Sequence, residues 1–361
     1  MSDKRIIYTE NPEDEQWRYL EEFYYKSNIS RYGTTIGLGY DDETLDMISS
    51  SIGQASEYYK LARVSSVHIS PLLLYYGTVN LFSATRLLLG KHTSEIESHG
   101  MSVIIPDESR GLADLAISIK SGRGSGLLAY AELFNCSKEI ESTGQWGITE
   151  CFSSIPDLYY EFTRTYDSRD RHLIPFRRVI QGRYELHEVL AEHFQCPGIG
   201  QEGLNRVLKW TQSYLQPQVG QNGNLILRKS LSYKNHSVYD LFGQQYLYVG
   251  FNKLGRVVHP DVAMHFLMPI YILGEVSRYR PKLWNPFISN DRTGEKFIVE
   301  KFLTLSRRII PNIVINLLER KRTIFTNYHS ELADREEFGR KDAEKIFQDL
   351  LSKAFVERGI K

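Results

Sequence analysis

Apolar residues Leu45, Ile48, Ile52, Ala55, Tyr59 and Ala62 recur every three or four positions. One face of an α-helix repeats at that interval, so the pattern predicts an amphipathic helix capped by Asp41 or Asp42 and ending near Arg63. The next apolar run, LLLYYGTVNLFSATRLLL, starts at Ser70-Pro71 and stops at Gly90. Ser and Pro are helix-start signals and Gly is a stop signal, which places a helix over residues 71–89. It is apolar nearly all round, so it belongs at the centre of the core. Its exception is a polar stripe, Tyr76, Asn80 and Ser83, at i, i+4 and i+7.

The rest of the chain is mostly helical by the same reading. Trp17, Leu20 and Tyr24 predict a short amphipathic helix, and residues 31–40, with Gly33, Gly37 and Gly39, predict a loop. Residues 101–105 and 115–120 read as short strands, 121–126 as a turn and 127–134 as a helix. Ile155-Pro156-Asp157-Leu158 opens another helix, with Tyr159, Phe162 and Tyr166 on one side. Helices are expected over 183–194, 204–215, 262–279, 296–322 (kinked at Pro311) and 342–356, and strands over 224–231 and 245–251. The expected fold class is mainly α, a multi-helix bundle with a few short β-strands or hairpins. Residues 1–166 form an N-terminal helical region and 184–361 a C-terminal one. The Arg-rich stretch 167–183 is an exposed connection between them, unless one domain runs throughout.

Composition narrows the function classes. Hydrophobic residues make up 42% and charged residues 24%, which excludes a largely disordered chain. Forty-four basic residues balance 44 acidic ones, so the net basic excess of a non-specific phosphate binder is missing. Nucleic acid stays open as a partner. Twenty-three Tyr and 17 Phe suit buried surfaces with polar handles, between helices or between chains. Cys136, Cys151 and Cys196 form no CxxC pair, which favours a reducing compartment and a cytoplasmic location. The charged start does not read as a secretory signal, and no apolar run approaches the ~18 residues a membrane span needs.

Several stretches resemble the YaaC-like family of bacterial proteins: QASEYYKLA (54–62), PLLLYYGTVNLFSATRLLL (71–89), His99-Gly100, SIPDL (154–158), LGEVSRYRPKLW (273–284) and FLTLSRRIIPNIVINLL (302–318). Together they span most of the chain in order, and the YYGxxNL and RYxPxxW cores are the more specific parts. The resemblance implies a bacterial source and a mainly helical fold. It brings no established activity and no catalytic roles. It emphasises Tyr75-Tyr76-Gly77, Asn80 and His99-Gly100.

Candidate chemistry must be weighed against ordinary structural roles. Small helical ribonucleases of the HEPN type pair an Arg with a His across four to six intervening residues, so that Arg holds the scissile phosphate while His moves a proton. Arg63/His68, Arg86/His92 and Arg322/His329 fit that spacing. With 26 Arg and 10 His in the chain, about two such pairs arise by chance. Moreover, His68 precedes Ser70-Pro71 and so falls between helices, and Gly90 splits the second pair. The stripe Tyr76, Asn80 and Ser83, with Arg86, His99 and Gly100, could line a pocket, but hydrogen bonding between packed helices is favoured, with Gly77 allowing the close approach. The glycine-rich run at 121–126 could cradle an anion before a helix, yet it lacks the P-loop ending, and a plain turn is the stronger reading. His187, Glu188, Glu192 and His193, and separately His259, Asp261 and His265, lack metal-site spacing, and no metal is expected. Arg278, Arg280 and Trp284, beside Tyr279, could bind a base or phosphate; the competing reading is a helix end stopped by Pro281 with Trp284 folded onto the core.

The leading expectation is a protein that acts by binding, as an interaction or assembly subunit, with a protein partner or a second copy of itself, no membrane and no cofactor. The alternative is a HEPN-type ribonuclease or nucleotide-binding protein in stress or antiphage defence.

Overall fold

The computed structural model describes residues 4–91, 96–106, 111–122, 124–166, 172–181, 184–190, 218–219, 223–230, 237–248, 260–289, 291 and 294–326. They divide into two compact units. The first comprises residues 1–173 and 250–327, the second 174–249 and 328–361.

The first unit is mainly α with small sheets, in agreement with the expected class. It opens with strand β1 (Lys4–Tyr8) and helices α1 (Pro12–Glu21), α2 (Lys26–Ile36), α3 (Asp42–Val64) and α4 (Ser70–Leu88). In α3 the Asp41 side chain accepts from the Thr44 N–H at 2.8 Å, and all six residues of the predicted apolar face are buried. Each such Leu or Ile contributes about 1.5–3 kcal/mol by leaving water. Helix α4 ends as its Gly90 predicts. Gly90 has φ +64°, its N–H reaches the Leu87 carbonyl, and the Lys91 N–H reaches Arg86. This is a Schellman closure, which a glycine at the left-handed position makes without strain.

Two local expectations change here. Residues 31–40 are not all loop, because α2 runs to Ile36. Gly33 lies inside that helix, where the Tyr40 ring covers it and leaves no room for a side chain. Ser70 does not cap α4, since Ile69 takes the cap position and the Ser70 hydroxyl donates to the Ala62 carbonyl at 3.2 Å, tying the end of α3 to the start of α4.

A three-stranded antiparallel sheet follows, formed by β2 (Met101–Ile104), β3 (Ala116–Ile119) and β4 (Gln145–Gly147) in the order β2-β3-β4. Around it lie α5 (Gly126–Leu133), α6 (Ser137–Thr143), α7 (Ile148–Phe152) and α8 (Tyr159–Thr165). Strands β5 (Leu173–Gln181), β6 (Tyr184–Val189), β7 (Gln218–Val219), β8 (Leu225–Ser230), β9 (Ser237–Tyr239) and β10 (Gln245–Tyr248) form a six-stranded sheet that makes up the second unit, in the order β7-β8-β6-β5-β10-β9. The helix expected from residue 183 is therefore a strand over its described part. In β6 His187 and Val189 are buried while Leu186 and Glu188 are half-buried, a period of two. Pairing with β5 on one side and β8 on the other decides the conformation. The expected strands at 224–231 and 245–251 correspond to β8 and β10, and the helices expected at 204–215 and 342–356 lie outside the described residues.

The chain returns to the first unit with α9 (Val262–Tyr279), α10 (Pro281–Ser289), α11 (Glu295–Glu319) and strand β11 (Arg322–Thr326). Helix α4 is packed by α3, α5, α9 and α11, so the apolar run is the centre of this unit. Strand β11 pairs in parallel with β1, joining residues more than 300 positions apart. Glu295, at the start of α11, is a buried carboxylate with its acceptors filled. It receives N–H groups of Leu112 at 3.1 Å and Ala113 at 3.0 Å and the Tyr166 hydroxyl at 2.9 Å.

The tightest helix contact is at Gly77. A Cβ there would lie 2.7 Å from a ring carbon of Tyr59 and 3.1 Å from Cβ of Tyr58. The Tyr59 ring cannot swing away cheaply, because it is buried and its hydroxyl shares a 2.9 Å hydrogen bond with Thr78. Gly77→Ala is expected to cost about 1–3 kcal/mol through overpacking, read as a lowered urea midpoint. Gly274→Ala is the control, since its Cβ would meet the Leu72 backbone at an ordinary 3.7 Å.

A second expectation concerns pH. The Ser154 hydroxyl donates to the Glu150 carbonyl at 2.7 Å, leaving its oxygen to accept from Nδ1 of His172 at 2.9 Å. Burial pushes this imidazole down to about 4. The unfolded chain therefore takes up the proton first, near pH 6.5. Stability from this group is complete above that pH and is lost as pH falls to about 4, by on the order of 2–3 kcal/mol. Urea midpoints measured from pH 7 to pH 4 should fall more steeply for the native chain than for His172→Asn; parallel curves would refute the assignment.

Candidate functional site

The site begins where α4 enters the core with two adjacent tyrosines. Tyr75 is buried and Tyr76 half-buried, because consecutive residues on a helix point about 100° apart. Beside them runs the segment 97–100, fixed by five backbone hydrogen bonds. Glu97 and Ser98 donate to Gly124, Gly126 donates to Ser98, Leu127 donates to His99, and Lys120 donates to Gly100. Gly100 has φ +74°, and a Cβ there would collide with the Ser125 hydroxyl, so only glycine fits. The N–H group that ends the turn at 121–126, for which an anion cradle is the weaker reading, is thereby used by the chain itself. The N–H groups of Gly126 and Leu127, which open α5, already point at Ser98 and His99 carbonyls.

This clamp sets the His99 ring against Tyr75, with Nδ1 2.7 Å from the hydroxyl. Burial and the neighbouring Tyr130, Tyr271 and Tyr76 hold the Tyr75 phenol well above its ordinary range, so it stays neutral. Its single hydrogen is then available to Nδ1 of the exposed His99 ring. Tyr271, on α9, completes the cluster, with its ring centroid 5.3 Å from Tyr75 and 5.7 Å from His99. Its hydroxyl donates to the Met101 carbonyl at 3.1 Å, fastening α9 to β2, and burial pushes its phenol up to about 12.

Helix α9 carries the site outward. Tyr271, Glu275 and Tyr279 follow at intervals of four, so they share one face. Arg278 lies over the Tyr279 ring, 4.6 Å from its centroid, and makes a long 3.5 Å contact with the Tyr76 hydroxyl. Tyr76 stacks in turn on Tyr58, 5.9 Å away. At the junction of α9 and α10 an open groove of about 600 Å³ is lined by Ile105, Pro106, Tyr279, Arg280, Pro281, Lys282 and Leu283.

The structure thus brings together Tyr76, His99, Gly100 and Arg278 and places Arg280 in the adjoining groove. The rest of the α4 stripe is engaged within the protein. Asn80 donates to the Tyr76 carbonyl of its own helix at 2.9 Å, Ser83 shares a 3.1 Å bond with the Tyr130 hydroxyl, and Arg86 is buried. Trp284 is buried, and its indole N–H donates to Nδ1 of His68 at 3.1 Å. That bond takes His68 away from Arg63, which instead pairs with Asp14 at 2.7 Å. Arg322 opens strand β11, because α11 stops at Glu319 and Arg320 takes a left-handed conformation, so no helix continues from it towards His329. His329 and His92 lie outside the described residues.

The other histidines have structural surroundings. His187 stacks on Phe176 at 4.1 Å, Glu188 accepts from Asn224 at 2.8 Å, and His265 packs on Trp146. Asp261 caps α9 through the Ala263 N–H. Glu192, His193 and His259 lie outside the described residues. Among the described residues no group of three or more His, Cys, Asp or Glu is placed to hold a metal ion, and no helix is long and apolar enough to cross a membrane. Tyr271 and Glu275 were missed by the sequence reading. Their signal was the one used for α4: polar positions four apart on an otherwise apolar helix.

Comparison with curated proteins gives no match, and comparison with solved structures gives none. The model of the YaaC-like protein family matches residues 7–318, a span that holds α4, the His99-Gly100 clamp and the whole of α9, and the chain belongs to that family.

Proposed function

We propose that this protein acts by binding a protein partner or a second copy of itself, as an interaction or assembly subunit. The observation that carries the reading is the corner between α3 and α4. Val64 is 81% exposed there, and Leu61 and Ile69 are each about half exposed, within nine residues of one another. The corner is not loose. Ser65 and Ser70 N–H groups close the turn on Leu61 and Ser66 carbonyls, and the Trp284 indole holds His68 between Val64 and Ile69. Three apolar side chains displayed on a pinned turn fit a docking surface better than a surface that merely tolerates them.

A cytosolic setting accords with the thiols. Cys136 and Cys151 are free and buried, and burial pushes Cys136 up to about 12 and Cys151 up as well, so both stay protonated and unreactive. Cleavage of RNA by an Arg/His pair draws no support from Arg63 and His68, whose side chains are committed to Asp14 and Trp284. A role in stress or antiphage defence has no observation in its favour.

The test is the double variant Leu61→Glu, Val64→Lys, checked for native circular dichroism. The native chain should sediment as an oligomer or co-purify with a stoichiometric partner, and the variant should lose that assembly. A native chain that is monomeric and partner-free, or a variant with an unchanged assembly, overturns the reading. In parallel, the purified native chain should not cut RNA.

A further inference from the structure

We infer that the groove between the end of β2 and the α9–α10 junction is a binding site for a nucleoside phosphate. This goes beyond partner docking and rests on different residues. The groove combines three features that such a ligand needs. Tyr279 offers a ring 54% exposed, and Arg278 lies over it at 4.6 Å. A cation on one side of an aromatic ring helps hold it in place and leaves the other side for a base. Ile105, Pro106 and Leu283 supply an apolar wall against which a planar group loses water.

Arg280 and Lys282 supply the charge. Both are exposed and both line the groove, on either side of Pro281. Neither forms an ion pair or a hydrogen bond through its side chain among the described residues. Two such cations, two residues apart, match the spread of charge on a diphosphate or triphosphate better than that of a single carboxylate. A volume of about 600 Å³ accommodates a mononucleotide.

An acidic peptide would also meet two cations, but it would not need a fixed ring facing an apolar wall. The base therefore distinguishes the two ligands. It stacks on Tyr279 while the phosphates reach Arg280 and Lys282. No covalent step is involved.

Isothermal titration calorimetry on the full chain tests this with ATP, GTP, AMP, tripolyphosphate and a poly-glutamate peptide. ATP or GTP should bind more tightly than AMP, and either should exceed tripolyphosphate by about tenfold or more, the contribution of stacking. Tyr279→Ala should remove that advantage while leaving tripolyphosphate binding unchanged. Arg280→Glu with Lys282→Glu should abolish binding of both and, because these residues are exposed, preserve the circular dichroism spectrum. Equal binding of tripolyphosphate and nucleotide, tighter binding of the peptide, or nucleotide binding untouched by Tyr279→Ala would each overturn the inference, as would a native chain that binds no nucleotide at millimolar concentration. None of these outcomes bears on Leu61 and Val64, so docking at the α3–α4 corner stands or falls separately.

Discussion

Helices α3 and α4 meet where a missing side chain makes room for a ring. At Gly77 the backbone of α4 comes so near Tyr59 that one carbon more would overlap it, and Tyr59 is held there by Thr78 of the same helix turn. A buried hydroxyl without a partner would cost about 1–3 kcal/mol, so the Tyr59–Thr78 bond makes the close approach affordable as well as specific. Register between the two helices follows from that pair. With the register set, Tyr76 faces Tyr58 and Tyr75 faces inward, towards α9 and the segment 97–100.

The exposed features inherit their positions from this core contact. His99 is an exposed residue whose orientation comes from a buried one, Tyr75, and from a glycine that alone fits beside Ser125. Tyr271 repeats the arrangement on the other side, with its ring against Tyr75 and its hydroxyl on β2. Because α9 is fastened at Tyr271, its later turns must carry Glu275, Arg278 and Tyr279 along β2 to where Ile105 and Pro106 emerge. The aromatic cluster and the groove are therefore two ends of one helix face.

What could be read in the sequence divides along physical lines. Helices with their own periodicity and stop signals were legible, as the six buried residues of α3 and the Gly90 closure of α4 show. Structure fixed by distant partners was not. Strand β11 is local in its alternation, with Thr323 and Phe325 buried, but its pairing partner lies at the other end of the chain, so residues to 322 read as more helix. Strand β6 reads as a helix for the same reason, since only β5 and β8 reveal its period of two. The site was half legible. Tyr76, His99 and Arg278 stand out by type and resemblance, while Trp284, which reads equally as a binding residue or as folded onto the core, is buried, and Glu275 has no distinguishing local signal. A stripe on one helix does not say which of its members will face another.

One contact connects the two surfaces of interest. Trp284 follows directly on the groove residues Pro281, Lys282 and Leu283, and its indole N–H donates to His68, which stands between Val64 and Ile69 on the exposed corner. A ring as large as indole cannot shift within a packed interior without displacing its neighbours. The spacing of Arg63 and His68 suggests a catalytic pair; in the structure His68 is the hydrogen-bond acceptor that ties the first turn of α10 to the α3–α4 corner.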